Sequence, residues 1–229
     1  MNLTPMNQHP EHGDAAEGRD TAMASARPQV PANSYSFQRY MSKARWNSLW
    51  HQASMIAELG PQSVIEVGAG NGLLKTICRG MSINFRTVDI DPELAPDLLG
   101  GIDAIPIPSK SVDLACAFQV LEHMPYEQSI KGFRELCRVS TKNVLLSLPN
   151  ATRCYPQLVS VPVLGSIKWT LPGPSKPTTE LIRSHFWEIG RPGTELDRVV
   201  YDLSKEARLE KSFRVFENPY HHFFQFRPR

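Results

Sequence analysis

A glycine-rich turn is the first feature of this sequence that could do chemistry. Gly68, Gly70 and Gly72 stand at alternate positions directly after the apolar run 63–67. Glycine has no Cβ, so such a turn bends sharply and lets the backbone approach a ligand. A helix that begins just after it would add free N–H groups, which bind a carboxylate or a phosphate. The alternate spacing differs from the dinucleotide pattern G-x-G-x-x-G, which argues against a nicotinamide-dependent oxidoreductase.

Carboxylates near the predicted strand ends form a second feature. Glu66 lies one residue before the first strand ends, where its carboxylate can face a crevice and bind a cationic group. Asp89 follows about twenty residues later, where doubly wound nucleoside-binding folds use an acidic residue to accept hydrogen bonds from ribose hydroxyls. Asp91 is an alternative for this role. Asp103, followed by Ala104, could hold an adenine amino group, although a lone aspartate more often caps or shapes a turn.

Histidines are the natural general bases near neutral pH. His123 stands in a Leu-Glu-His segment after a predicted strand, and His185 stands in Ser-His-Phe-Trp-Glu-Ile-Gly. Either could accept a proton from a nucleophile; the alternatives are an orienting role for His123 and a buried aromatic contact for His185. His221 and His222 adjoin on a predicted strand, so they point to opposite faces and at most one reaches a pocket.

Short apolar strands alternate with helical stretches through the middle of the chain. The predicted strands are 63–67, 85–88, 114–117 and 144–148, and the predicted helices include 73–79 and 130–139. This alternation predicts an α/β fold with a Rossmann-like doubly wound sheet, mostly parallel, with helices on both faces.

Further elements complete this prediction. A helix is expected within 35–59, where apolar residues recur at intervals of three and four. Only 102–104 suggests a strand between residues 91 and 109. The aromatic runs 212–216 and 220–226 predict a C-terminal antiparallel hairpin at the edge of the sheet.

Two segments differ in composition from the rest of the chain. Residues 1–34 hold few large apolar side chains, so we expect a disordered tail followed by a single domain over 35–229. The proline-rich segment 149–177 cannot be a regular helix or a central strand. We interpret it as an insertion after the last parallel strand, either a lid over a ligand crevice or a surface loop.

Composition and charge exclude several classes of protein. Of the 229 residues, 41% are hydrophobic, which is ample for a packed core. A formal net charge of +2 does not favour nucleic acid or an anionic membrane as a partner. We expect neither a transmembrane segment nor a secretory signal. The four cysteines form no CxxC motif, so Cys78, Cys116 and Cys137 are expected in the core and the compartment is expected to be the reducing cytoplasm.

Over roughly 62–150 the chain resembles the class I S-adenosylmethionine-dependent methyltransferases, specifically the small-molecule branch of type 11. The matching segments are Val64-Ile-Glu-Val-Gly-Ala-Gly-Asn-Gly72, Val88-Asp-Ile-Asp-Pro-Glu-Leu94, Asp103-Ala-Ile-Pro-Ile-Pro, Ser111-Val-Asp-Leu-Ala, Gln119-Val-Leu-Glu-His-Met-Pro125, Phe133-Arg-Glu-Leu-Cys-Arg-Val139 and Leu146-Ser-Leu-Pro-Asn150. Their order and spacing carry the resemblance. The family's frequent Lys-Pro-Gly-Gly before the fifth strand is replaced here by Ser140-Thr-Lys-Asn143, in a turn remote from the cofactor.

The resemblance implies that the cofactor is S-adenosyl-L-methionine and assigns roles to matching positions. The implied cofactor-binding residues are Glu66, Gly68 and Gly70 for the methionine portion, with Ala69 and Gly72 in the same turn, Asp89 for the ribose hydroxyls, Ile90 against the adenine, Asp103 and Ala104 at the adenine edge, and Gln119 on the sulfonium and substrate side. His123 and His185 are the candidate catalytic residues, and no metal is implied.

The expected acceptor is a small molecule, such as a sugar, a lipid headgroup or a secondary metabolite. Amino methyltransferases carry (D/N)-P-P-(Y/F) after the fourth strand, whereas this chain has Ala117-Phe-Gln-Val120 there. No run of Lys or Arg supports an RNA partner. The alternative to an enzyme is a non-catalytic cofactor-binding protein that acts as a partner or regulatory subunit.

Overall fold

The structure, a computed structural model, describes residues 31–163, 165–177, 180–182 and 184–229. Most of the predicted tail 1–34 lies outside these residues. The described part of the chain begins with a 3-10 turn over Ala32–Tyr35.

Nine strands and five helices are present in the described residues. The strands are β1 (Ser63–Val67), β2 (Asn84–Asp89), β3 (Leu98–Leu99), β4 (Val112–Phe118), β5 (Ser140–Pro149), β6 (Thr152–Val161), β7 (Gly165–Pro177), β8 (Ala207–Val215) and β9 (Asn218–Pro228). The helices are α1 (Phe37–Tyr40), α2 (Lys43–Leu59), α3 (Leu73–Gly80), α4 (Tyr126–Val139) and α5 (Leu196–Ser204). Further 3-10 turns lie at Pro92–Leu94 and Leu121–His123.

Seven strands form one sheet in the order β3-β2-β1-β4-β5-β9-β8. The strands β1 to β5 pair in parallel, and β9 lies antiparallel to both β5 and β8. This confirms the predicted mostly parallel doubly wound sheet with a C-terminal antiparallel hairpin at its edge. The prediction of a strand at 102–104 is wrong. The strand β3 lies at Leu98–Leu99 and pairs with Val88 and Asp89, and two apolar residues are too short a run to indicate a strand in the sequence.

Helices cover both faces of the sheet, and each covered face forms its own apolar cluster. Val64 of β1 packs in the cluster that includes α2 and α3, whereas its neighbour Ile65 packs in the cluster that includes α4 and α5. Successive side chains of a strand point to opposite faces, so burial of both faces requires the nearly continuous apolar runs seen in the sequence. The predicted apolar face of α2 is buried at Leu49, Ala53 and Ile56.

The proline-rich segment after β5 forms a two-stranded antiparallel sheet of its own, made of β6 and β7. Proline has no N–H to donate to a central ladder, which fits a pair of strands outside the main sheet. No helix in the described residues is long and apolar enough to cross a membrane. All four cysteines are free, and Cys78, Cys116 and Cys137 are buried, as expected.

The β9 strand directs its adjacent histidines to different surroundings. His222 is buried, its ring stacks 4.5 Å from that of Phe224, and its Nε2 lies 2.8 Å from Ser212 Oγ. Asn150 Nδ2 donates to its Nδ1 at 3.1 Å. His221 instead lines the cleft described below. Of the two, His221 lines the cleft and His222 packs in the interior of the described structure, as expected from the alternation of strand side chains.

Burial of His222 makes stability depend on pH. Burial lowers the pKa of His222 from its usual 6.5 to about 4. Between these pH values the unfolded chain binds a proton that the folded chain excludes, so the free energy of unfolding falls as the pH drops through this window. We expect His222→Gln to remove part of this loss, about 1–3 kcal/mol in urea unfolding at pH 5 against pH 7. If the free energy of unfolding falls equally in wild type and in His222→Gln between pH 7 and pH 5, titration of His222 is not the cause. Between pH 7 and pH 8 the free energy of unfolding should change by the same amount in both proteins.

Candidate active site

The glycine turn between β1 and α3 has the backbone that its residue types predict. Gly68, Gly70 and Gly72 adopt φ values of +90°, +51° and +69°. A Cβ at Gly68 would lie 2.6 Å from Val120 Cγ2, so only glycine fits beside the chain that leaves β4. Gly72 directly precedes α3, whose first N–H groups are therefore presented at the carboxyl edge of the sheet.

Asp89, at the end of β2, ties the glycine turn to the next loop. Its Oδ2 accepts the N–H of Ala69 at 2.7 Å, and its Oδ1 accepts the N–H of Asp91 at 2.9 Å. A carboxylate oxygen has a second acceptor site, so both oxygens can still accept hydrogen bonds from a ligand. Asp91 is occupied as a cap, since its Oδ1 accepts the N–H of Glu93 at 2.9 Å. Asp89 nevertheless ends β2 and contacts the glycine turn directly, and this position favours it over Asp91 as a ligand-binding carboxylate.

Glu66 is a buried carboxylate with an incomplete set of partners. Its side chain is 6% exposed, and among the described residues Oε2 has no hydrogen-bond partner. Burial, together with the nearby negative charge of Asp89, raises the pKa of Glu66 well above its usual range. An isolated carboxylate in such surroundings is costly unless a cation or a donor reaches it. A positively charged ligand group that donates to Oε2 would offset this cost.

The residues expected around an adenine lie on adjoining loops beside β2 and β3. A Cβ placed on Gly101 would be 2.5 Å from Asp103 Oδ1 and 3.8 Å from Ile90 Cγ2, so these two side chains flank the same glycine. Asp103 and Ala104 are both exposed. The structure therefore brings Ile90 and Asp103 together, with the Asp103 carboxylate open to a ligand.

Gln119 stands where the chain leaves β4 and has a strained backbone, with φ at +58°. Its N–H donates to the carbonyl of Ser147 at 3.0 Å, and its Nε2 donates to Ser147 Oγ at 3.1 Å. A left-handed conformation is uncommon for a residue with a side chain and persists where the surroundings hold it. These two bonds hold Gln119 at the mouth of a cleft.

That cleft has a volume of about 510 Å³, and Gln119 is the predicted cofactor-binding residue that lines it. Its walls come from the segments 34–45, 119–123, 182–185 and 218–221. Tyr35 and Tyr40 form one wall, with ring centroids 5.0 Å apart. A Cβ on Gly70 would lie 3.9 Å from the Tyr35 ring, so the N-terminal segment covers the glycine turn. Both the cleft and the turn are thus shielded by residues that precede α2.

His123 and His185, which are distant in sequence, lie side by side in this cleft. Their ring centroids are 5.0 Å apart with an edge-to-face angle of 82°. His123 Nδ1 lies 2.8 Å from the carbonyl of Ser184, and His185 Nδ1 lies 3.0 Å from Glu188 Oε1. Both of these oxygens only accept, so each Nδ1 carries the proton. Burial lowers the pKa of both histidines, which favours neutral imidazoles.

Glu188 anchors this pair. It is fully buried, and it also pairs with Arg191 at 2.6 Å and accepts the hydroxyl of Tyr220 at 2.7 Å. These donors lower the pKa of Glu188 despite its burial, so it remains a carboxylate and orients the His185 ring.

Backbone contacts hold the His185 segment against the turn that contains His123. The N–H of Phe186 donates to the carbonyl of Glu122 at 2.8 Å. The indole of Trp187 donates to the carbonyl of Leu121 at 3.2 Å and to Ser129 Oγ at 2.9 Å. The buried aromatic contact weighed for this segment is therefore made by Trp187, while His185 faces the cleft.

Several residues of the site were missed by sequence reasoning. Tyr35, Tyr40 and Tyr220 carry no motif and reach the cleft only through the fold. Glu122 does adjoin His123 in the sequence, and that adjacency was its one signal. Its side chain is fully buried, and burial, with the nearby charge of Glu188, raises the pKa of Glu122 to about 8.

The sheet order, the glycine turn after β1 and the carboxylate at the end of β2 agree with the class I methyltransferase fold expected from the sequence. Comparison of sequences leads to the same class, because residues 65–148 match the family model of a methyltransferase domain. A search of curated protein sequences gave no significant match.

Solved structures with this fold cover nearly the whole chain. Magnesium protoporphyrin IX methyltransferase from Synechocystis PCC 6803, solved with bound S-adenosylmethionine, has a TM-score of 0.60 at 10% identity, over 94% of this chain and 100% of its own. A Burkholderia thailandensis 1,6-didemethyltoxoflavin-N1-methyltransferase, solved with 1,6-didemethyltoxoflavin and S-adenosylhomocysteine, has a TM-score of 0.59 at 14% identity, over 96% and 93%. The PH0226 protein of Pyrococcus horikoshii OT3 has a TM-score of 0.58 at 11% identity, over 87% and 100%.

These comparisons confirm the class predicted from the sequence. Residues 65–148 match the model of a methyltransferase domain, and the chain has the fold of solved S-adenosylmethionine-dependent methyltransferases. The predictions of enzyme class and of S-adenosyl-L-methionine as cofactor agree with this class.

Proposed function

We propose that this protein transfers the methyl group of S-adenosyl-L-methionine to a small-molecule acceptor, such as a sugar, a lipid headgroup or a secondary metabolite, in the cytoplasm. The observation that carries the proposal is the juxtaposition of two half-sites. The glycine turn, the unpartnered oxygen of Glu66 and the Asp89 carboxylate suit the cofactor, and the adjoining cleft of about 510 Å³ has the size of a small-molecule site.

The cofactor would lie across the carboxyl ends of the parallel strands. Glu66 would receive its ammonium group, which supplies the cation that this buried carboxylate lacks. Asp89 would accept the ribose hydroxyls through the acceptor sites that Ala69 and Asp91 leave open. Ile90 and Asp103 would contact the adenine, and Gln119 would line the sulfonium side.

The main contribution of the protein to this reaction would be to position the two reactants. The acceptor atom forms a bond to the methyl carbon in line with the breaking carbon–sulfur bond, the sulfonium becomes a neutral thioether, and the acceptor loses one proton. Holding the two reactants in this geometry and keeping water away supplies most of the acceleration. Tyr35 and Tyr40 cover the cofactor side, while His123 and His185 act on the acceptor.

Titration and turnover together test this function. Calorimetry should show saturable binding of S-adenosylmethionine and none of NAD. Transfer of label from methyl-labelled cofactor into an extract of small metabolites should then identify an acceptor. Cofactor binding without transfer would indicate the alternative, a non-catalytic partner subunit, and binding of NAD alone would overturn the proposed function.

The substitution Glu66→Gln tests whether Glu66 binds the ammonium group of the cofactor or only contributes to the stability of the fold. The substitution keeps the shape but removes the negative charge, so the dissociation constant for S-adenosylmethionine should rise about 10- to 100-fold in calorimetry, the scale of a charge-assisted hydrogen bond. The free energy of unfolding without cofactor should stay equal or rise, because a buried and incompletely paired carboxylate is removed. Glu58→Gln, at an exposed position of α2, is the control and should leave affinity unchanged. Wild-type affinity in Glu66→Gln would contradict the assignment.

A further inference from the structure

Three side chains at the inner end of the cleft form a set that a metal ion could share. One carboxylate oxygen of Glu122 and one ring nitrogen each of His123 and His185 all lie within 4.8 Å of one another. We propose that these residues bind one first-row divalent metal ion, such as Mn²⁺, Co²⁺ or Zn²⁺, and that the ion binds an oxygen of the acceptor. The acceptor part rests on the proposed function; the metal site does not.

The Glu122 side chain is the observation that most needs an explanation. It is fully buried, and neither of its carboxylate oxygens has a hydrogen-bond partner among the described residues. Buried carboxylates are ordinarily paired, hydrogen-bonded or bound to a metal, because the desolvation cost is otherwise large. A divalent ion at the point that these oxygens share with the two imidazoles would offset that cost.

The two histidines are oriented as metal ligands are. His123 donates its Nδ1 proton to the Ser184 carbonyl, and His185 donates its Nδ1 proton to the Glu188 carboxylate. Metal-binding histidines nearly always donate their other N–H to a carbonyl or carboxylate, which selects the tautomer with an unprotonated Nε2. The carboxylate of Glu188 is itself held by Arg191 and Tyr220, so the support of His185 is rigid.

The donor set selects the kind of metal. Two imidazoles and one carboxylate suit the first-row transition ions and Zn²⁺, whereas Ca²⁺ and Mg²⁺ favour sites built from oxygen alone. Three protein ligands would leave coordination positions open, as in catalytic sites, and all three side chains line the cleft that would admit a ligand.

An acceptor oxygen on the metal would be prepared for methyl transfer. Coordination lowers the pKa of a bound hydroxyl, so its proton leaves to water in the open cleft. The resulting oxyanion forms the bond to the methyl carbon as the carbon–sulfur bond breaks, and the thioether product leaves neutral. In this arrangement the two histidines act through the metal rather than as bases.

Titration of the chelator-treated full-length chain with Co²⁺ tests the site without the cofactor or an acceptor. We expect one Co²⁺ per chain, with visible absorption bands of a nitrogen- and oxygen-ligated ion. Glu122→Gln should bind Co²⁺ at least about 100-fold more weakly, yet keep its circular dichroism and thermal midpoint without metal. His51→Gln, whose ring pairs with Glu217 outside the cleft, is the matched control and should bind as wild type does.

The outcomes separate this inference from the proposed function. Absence of Co²⁺ and Mn²⁺ binding at millimolar concentration, or equal affinity in Glu122→Gln and wild type, would overturn the metal site. Glu122 would then be a neutral buried carboxyl. Metal binding by a chain that fails to bind S-adenosylmethionine would keep the metal site and overturn the proposed function instead.

Discussion

Asp89→Ala is expected to weaken binding of S-adenosylmethionine by about 3 kcal/mol or more, on the order of 100-fold or beyond. Two effects add. The variant loses the carboxylate that would accept the ribose hydroxyls, and hydrogen bonds to a charged group are worth about 1.5–3 kcal/mol each. It also leaves the N–H groups of Ala69 and Asp91 without their acceptor, so the glycine turn loses its tie to the loop after β2. Calorimetric titration measures the change.

Asp91→Ala is the matched control for that prediction. Asp91 is as well buried as Asp89, but its carboxylate caps the turn Pro92–Leu94. Its removal should cost about 0.5–2 kcal/mol of stability and leave the dissociation constant for the cofactor within about twofold of wild type. A larger loss of affinity in Asp91→Ala than in Asp89→Ala would reverse the two roles.

His185→Ala is expected to lower kcat by about 100- to 10,000-fold while the dissociation constant for S-adenosylmethionine stays within about twofold. The reason is its position: His185 lines the proposed acceptor cleft and contacts His123, whereas Glu66 and Asp89 are not among the residues that line this cleft. Glu188 keeps Arg191 and Tyr220 as partners in the variant, so its buried charge stays compensated.

Single-turnover and steady-state rates with the identified acceptor, beside cofactor titration, check this prediction. His51→Gln again serves as the control, since His51 lies on α2 outside the cleft. An unchanged kcat in His185→Ala would remove the residue from the chemistry. If His185→Ala also weakens binding of S-adenosylmethionine, His185 would contribute to the cofactor site and not to the acceptor site.

The part of the candidate site that we propose for the cofactor could be predicted from the sequence. Its residues lie at the carboxyl ends of β1, β2 and β4, and the carboxyl ends of neighbouring parallel strands meet at one edge of a sheet. Knowing the strands therefore places Glu66, Asp89 and Gln119 near one another without further information. The glycine turn was predictable for the same reason, because its constraint is local backbone geometry.

Local sequence patterns were less informative where strand pairing determines the position of a strand, or where packing determines how much of a helix face is buried. The strand β3 has only two residues, so the adjoining β2 rather than an apolar run determines where it forms. Trp46 and Trp50 match the spacing of the apolar face of α2, yet they are 47% and 61% exposed. Periodicity shows which residues share a face of a helix, but not how far the neighbouring layer extends over it.

The sequence by itself determined the class of this protein and its cofactor edge, because those depend on the order of strands and on turns whose residues are adjacent in the chain. Only the tertiary structure decided which residues line the cleft that we propose for the acceptor. Glu122 and His123 meet His185 because the buried contacts of Trp187 and Glu188 bring a distant segment against the end of β4. Such contacts join residues that are far apart in the sequence, so neither the hydrophobic periodicity nor the spacing of a local motif predicts them.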